Sequence, residues 1–270
     1  MSAIFRKRHC FLEQRKWKTI PFAREPSPRL ISSRVQDILC DIPGFLEDIL
    51  EIETLRANGS GITINRHVAA LRVKVAAAIE QLSDLRWQWE DEFPGVCYEV
   101  TTRPGSTLCV DDSGEPLFQT VLFFRRLDCA MEILRFNAMF LILYNVLSLT
   151  GADTLSVSTE RKTVLSDHSP IQPSANTTAN ALINPGEWAS LDDLALEICR
   201  LVDYCLHDTF NGLGVFTLLF PLRVAYKTLK YDARIAHCIE RITQDIADSK
   251  GFEIGIHIPK QEDKSSQLVV

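Results

Sequence analysis

VAALRVKVAAAIEQLSDLRWQW, residues 68–89, sets Val68, Leu71, Val75, Ile79, Leu82, Leu85 and Trp89 three or four positions apart. On a helix this spacing gathers them on one side, which must be buried against another element. The predicted helix runs from about Ile64 to Glu90. Trp87 and Trp89 fall on different sides of it, so the two indoles cannot enter the same core layer. An exposed aromatic there would mark a partner or ligand surface, although packing against a second helix is the commoner fate.

The same periodicity extends in both directions. Residues Ser32 to about Leu55 alternate apolar and acidic positions at helical spacing, and Ile42-Pro43-Gly44 predicts a break between two short helices. On the other side, Pro94-Gly95, Arg103-Pro104-Gly105 and Asp111-Asp112-Ser113-Gly114 make 93–115 a connecting loop. A helix is expected from Pro116 to Thr150, with Pro116 at its first position and Arg125, Asp128, Glu132 and Arg135 as a polar edge. Its second half, Phe136 to Leu149, is apolar all round. It is interrupted by Asn137 and Asn145 and is shorter than the ~20 residues that span a bilayer, so it reads as central core.

Residues 151–186 are rich in Ser, Thr, Asn and Pro and read as a mobile loop. Ser190 and Asp193 form a capping-box pattern, starting a helix that carries Leu191, Leu194, Ile198, Leu201, Val202 and Cys205 on one side. Asn211-Gly212 and Gly214 break the chain before the apolar run Val215 to Tyr226, where Pro221 should begin or kink a helix. A last helix, Asp232 to Ser249, buries Ile235, Ile239, Ile242 and Ile246, with Gly251 as its cap. Phe252, Ile254, Ile256 and Ile258 then alternate with Glu253, Gly255 and His257, which is strand periodicity without a visible partner strand.

The fold class that follows is all-α: an irregular multi-helical array of antiparallel helices with long loops and a short extended C-terminal segment. Three regions are expected: a basic, disordered arm over 1–30, a helical domain over 31–258, and a disordered tail over 259–270.

With 46% apolar and 24% charged residues, the chain has the composition of an ordinary globular protein and enough length to bury a substantial core. Its net charge of −6 is unevenly spread. Arg6, Lys7, Arg8, Arg15, Lys16, Lys18, Arg24 and Arg29 crowd the first thirty residues against Glu13 and Glu25, leaving an acidic body that repels phosphate backbones. The arm reads as a solvated terminus with no specific partner, the alternative being a nuclear-import or anion-contacting segment. Charges from Arg6 onward interrupt any secretory signal, so an intracellular protein is expected.

Eight cysteines, at 10, 40, 97, 109, 129, 199, 205 and 238, include no C-x-x-C pair. They read as free thiols in a reducing compartment, with no metal and no cofactor. Asn176-Thr177-Thr178 matches a glycosylation pattern by chance in such a protein. Cys205, His207 and Asp208 could form a thiol or metal site, but Cys205 belongs to a buried stripe and reads as structural. His67, His237 and His257 are isolated. The most enzyme-like feature is Asp111-Asp112-Ser113-Gly114-Glu115, which matches the acidic pattern that holds magnesium and diphosphate in terpene synthases. Ser-Gly inside it and Pro116 after it make it a turn instead. The second metal motif of those enzymes is missing, since Asp192-Asp193 runs into Leu194-Ala195-Leu196-Glu197.

Several stretches, taken in order, resemble the regulatory regions of fungal zinc-cluster transcription factors. They are Cys40 to Asp48, Leu82 to Glu90, Leu141 to Asn145, Glu197 to Arg200, Leu219 to Ala225 and Gly251 to Gly255. The resemblance covers about residues 30–258. It implies an all-α regulatory domain that modulates transcription in the nucleus through protein partners, a transcription factor or co-regulator, with a homo- or heterodimer compatible. That family carries a six-cysteine binuclear cluster ahead of this region, and only Cys10 stands there here. Sequence-specific DNA binding by this chain alone is therefore not expected, and the short, interrupted apolar stretch gives no reason to expect a membrane. Two alternatives stand beside this: a magnesium-dependent helical enzyme of the terpene synthase type using Asp111, Asp112 and Glu115, and a truncated gene product of a DNA-binding activator.

Overall fold

The computed structural model describes residues 2–23, 29–59, 61–151, 181–210 and 212–250. Helices dominate: α1 (Ser2–Arg6), α2 (Arg15–Thr19), α3 (Ile31–Ala57), α4 (Gly61–Glu92), α5 (Leu127–Leu149), α6 (Leu191–Arg200), α7 (Val202–Cys205), α8 (Leu213–Leu229) and α9 (Ala233–Lys250). A two-stranded antiparallel sheet, β1 (Cys97–Thr101) with β2 (Thr120–Phe124), lies between α4 and α5 in the chain. The fold is all-α with this one small addition. The predicted C-cap at Gly251, the strand-like stretch from Phe252 to Ile258, and the tail lie outside the described residues, as do 152–180 of the long loop.

α4 forms as its spacing predicts, with Leu71, Val75, Ile79, Leu82, Leu85 and Trp89 all buried. It runs antiparallel to α3 after a turn in which Gly59 takes φ +76°. The direction is fixed by cross-helix pairs: Arg34 Nη1 with Gln88 Oε1 at 2.7 Å, Lys74 Nζ with Asp48 at 3.0 Å, and His67 Nε2 with Glu51 at 3.9 Å.

α3 corrects the sequence reading. The expected break at Ile42-Pro43-Gly44 does not occur, and the helix is continuous through Pro43. A proline inside a helix costs roughly 3 kcal/mol. Continuity keeps Val35, Ile38, Ile42, Phe45, Leu46, Ile49 and Ile52 on one buried stripe, each worth about 1.5–3 kcal/mol. A break would divide that stripe, and burial outweighs the proline. α8 makes the same choice, passing through buried Pro221 from Leu213 to Leu229.

A second correction falls on residues 93–126. The predicted loop contains β1, and the predicted helix start at Pro116 is instead a β-bridge between Pro116 and Val110. Thr120-Val-Leu-Phe-Phe is β-branched and aromatic, and it pairs with Cys97-Tyr-Glu-Val-Thr from Cys97↔Phe124 to Thr101↔Thr120. The helix begins only after Arg126, an extended residue.

α5 is central, as its all-round apolar pattern predicts. It is buried along nearly its whole length and packs against α3, α4, α6, α8 and β2. By length and composition it is the one helix among the described residues that could cross a membrane, and 78% of its apolar window is buried inside the protein. α6 opens with the expected capping interaction, Asp193 accepting from the Ser190 N–H at 3.1 Å and the Ala189 N–H at 2.7 Å. Gly214 lets α8 close against the end of α7, since a Cβ there would lie 2.0 Å from the Cys205 carbonyl oxygen. Ile239, Ile242 and Ile246 of α9 are buried as its spacing predicts.

Candidate interaction surface

The basic arm is not free. Residues 2–23 form α1, α2 and two short 3-10 turns, and α1 and the turn at Phe11–Glu13 pack against α3. Where an unstructured terminus was expected, opposite charges and one buried anchor hold the chain down. Ile4 is buried in the core. The face of α3 that receives the arm is acidic, carrying Asp37, Asp41, Glu47 and Asp48.

All four acidic residues contact the arm. The His9 backbone N–H donates to Glu47 Oε2 at 2.5 Å, and the His9 ring lies 4.0 Å from both Glu47 and Asp48. Lys18 Nζ donates to Asp41 Oδ1 at 2.5 Å. Arg29 grips Asp37 through both terminal nitrogens, at 2.6 and 3.2 Å, and also donates to the Lys18 carbonyl at 3.0 Å. Bidentate guanidinium contacts of this kind fix orientation as well as charge. Gly44 makes the approach possible: a Cβ there would sit 2.7 Å from His9 Nδ1 and 2.9 Å from Glu13 Oε2. Pro43-Gly44, predicted as a helix break, therefore marks the seat of the arm.

His9 is held above its ordinary value, mainly by its hydrogen bond to Glu13 and, against a smaller cost of burial, by the charges of Glu13, Glu47 and Asp48. Burial raises Asp41, with Lys18 opposing it.

The outward side of the arm is apolar and cationic. Phe11 (61% exposed), Trp17 (45%) and Ile20 (68%) are exposed, as are Arg15 and Lys16 of the same segment. Phe11 and Trp17 meet edge to face at 5.7 Å, and the Lys16 ammonium lies 5.8 Å from the Trp17 ring. Periodicity of the main helices gives no sign of this surface. The signal available was the interleaving of Phe11, Trp17 and Ile20 with the arm's cations.

The acidic motif occupies a turn. Asp111 Oδ1 accepts from the Ser113 N–H at 2.9 Å, the Ser113 hydroxyl at 2.6 Å and the Glu115 N–H at 3.0 Å. These bonds hold its carboxyl below the usual range. The Asp112 side chain is 85% exposed and lies 3.3 Å from His237 Nε2. Glu115 is exposed, and among the described residues no three His, Cys, Asp or Glu side chains are grouped to hold a metal ion.

Cys205 is buried, and burial pushes its thiol up to about 12, which suits a structural cysteine. His207 is exposed, its ring bonding the Thr209 hydroxyl at 2.7 Å. Of the two indoles on α4, Trp89 enters the core and donates to Glu132 Oε2 at 2.7 Å, while Trp87 is half-buried.

A polar cluster inside the helical core was not legible in the sequence. Glu197, 1% exposed, accepts from Asn137 Nδ2 at 2.8 Å and the Ile183 N–H at 2.9 Å. Arg86, 2% exposed, pairs with Glu90 at 2.5 Å and stacks on Trp89. Arg200 ties α6 to the sheet through Thr120 and Glu99. No family model, curated protein or solved structure matches this chain.

Proposed function

We propose that this chain is a non-enzymatic interaction module that acts on transcription in the nucleus by contacting a DNA-bound protein. The single observation that carries this reading is the exposed aromatic and cationic side of the arm, which is packed on α3. Aromatic residues with flanking cations are characteristic of the energetic centres of protein interfaces. The ordered resemblance to zinc-cluster regulatory regions supplies the transcriptional setting, and the acidic body accounts for reliance on a partner to reach DNA.

The test is a reporter assay with the full chain fused to a heterologous DNA-binding domain. Reporter output should change, and Trp17→Ala with Ile20→Ala should abolish the change while leaving the fold intact by circular dichroism. Sequence-specific binding of a promoter fragment by the purified chain at physiological salt would overturn the reading. So would magnesium-dependent turnover of a prenyl diphosphate that is lost in Asp111→Asn.

A further inference from the structure

Three thiols from three distant parts of the chain converge where α9 meets the connection between β1 and β2. Cys109 lies on that connection, Cys199 on α6 and Cys238 on α9. Cys109 Sγ lies 3.5 Å from the Cys199 carbonyl oxygen, and Cys238 Sγ lies 3.9 Å from the carbonyl of Leu108, the residue preceding Cys109. The thiols of Cys109 and Cys238 lie close enough to act on each other electrostatically. Arg241, one turn along α9, sets a guanidinium nitrogen 3.8 Å from Cys238 Sγ and anchors the same group on the carbonyls of Val110 at 2.8 Å and Leu108 at 3.4 Å.

We propose that Cys109 and Cys238 form a peroxide-oxidisable dithiol, with Cys238 as the attacking sulfur, Cys109 as the resolving one and Arg241 as the positioning cation. The setting of Cys238 differs from that of the other thiols. Burial pushes Cys97 and Cys205 up to about 12 and Cys129 to about 11, whereas the neighbouring Cys109 side chain, with Arg241, brings Cys238 down. An electropositive contact of this kind separates a reactive cysteine from a structural one. A groove of about 370 Å³ runs beside the pair, lined by Leu108, Val110, Arg241 and Ile242 among others, with Leu108 49% exposed. Cys109 and Cys238 are themselves buried behind this lining, so a small hydroperoxide reaches them when the side chains between groove and thiols move aside.

The chemistry closes without a further reagent. The Cys238 thiolate attacks the peroxide oxygen, an S–O bond forms as the O–O bond breaks, and the leaving oxygen takes a proton and departs as water or an alcohol. Cys109 then attacks the sulfenic sulfur, an S–S bond forms, and hydroxide leaves with the Cys109 proton as water. Two thiols lose two electrons and two protons, and one hydroperoxide is reduced. The product ties α9 to the β1–β2 connection across more than a hundred residues of intervening chain, which restricts the unfolded state strongly.

The experiment treats the reduced full chain with hydrogen peroxide, quenches with an alkylating reagent under denaturing conditions, and maps the peptides. Cys109 and Cys238 should lose alkylation together and appear as one linked peptide, and Tm should rise by about 5 °C or more. Cys109→Ser should leave a sulfenic acid at position 238 that dimedone traps, and Arg241→Gln should slow oxidation several-fold. Three results would overturn the proposal: full alkylation of both residues after peroxide treatment of the folded wild-type chain, a Cys10–Cys40 linkage as the main product, or disulfides only between chains. Because the wild-type measurement decides it, a variant that fails to fold does not blur the outcome.

Discussion

The imidazole of His9 occupies the space that a Cβ on residue 44 would fill, Nδ1 lying 2.7 Å from that position. This contact links a basic arm to the middle of a long acidic helix, and it explains a glycine that is otherwise unfavourable there. Glycine inside a helix costs roughly 0.5–1 kcal/mol relative to alanine.

Gly44→Ala should therefore have opposite local and distant effects. Helix α3 gains intrinsic stability of about 0.5–1 kcal/mol, while the His9 ring must shift and give up its contacts with Glu13 and Asp48. Trypsin should cut faster at Arg15 and Lys16, with Tm unchanged or slightly raised. Unchanged cleavage would show that the arm does not depend on this seat.

The clasp should tighten as pH falls. His9 is raised above its ordinary 6.5 in the folded state, so its stabilising contribution is fully present below about pH 6.5 and is lost as pH rises through the higher folded value. The groups facing it are Glu13, Glu47, Asp48 and Asp41, with Lys74 and Lys18 as the nearby cations, and a cleft of about 430 Å³ keeps the site open to solvent. Amide exchange over residues 9–18 should be slower at pH 6 than at pH 8, and His9→Gln should flatten the difference.

Glu197 is a costly carboxylate with well-placed partners. Glu197→Ala leaves the Asn137 amide and the Ile183 N–H unpaired and should lower unfolding free energy by about 3 kcal/mol in urea. Glu197→Gln can bond both groups if the Asn137 amide turns over, so its cost should be below about 1 kcal/mol. Burial raises the Glu197 carboxyl above its ordinary 4.5. The folded state thus binds the proton more tightly, and wild-type stability falls as pH rises from there through the raised value. The Gln variant should lose that slope.

Trp89→Phe removes the donor to Glu132, a carboxylate that burial already pushes up and that the indole N–H restrains. With the stacking on Arg86 reduced as well, the loss should be about 2 kcal/mol, seen as a lower urea midpoint with an unchanged slope.

Sequence periodicity determined the main helices, because a buried stripe at helical spacing has one solution. Residues 68–89, Phe136 to Leu149 and the isoleucines of α9 could be read directly. Tertiary structure alone decided whether Pro43 and Pro221 break their helices, since the outcome weighs a local cost of roughly 3 kcal/mol against apolar burial visible only once partners are placed. It also decided that β1 and β2 pair, because each strand is short and meaningful only opposite the other. The candidate sites were least legible. His9 with Gly44, Glu197 with Asn137, and Cys109 with Cys238 are separated by 35 to 129 positions, and only the packing of α3, α5, α6 and α9 brings them together.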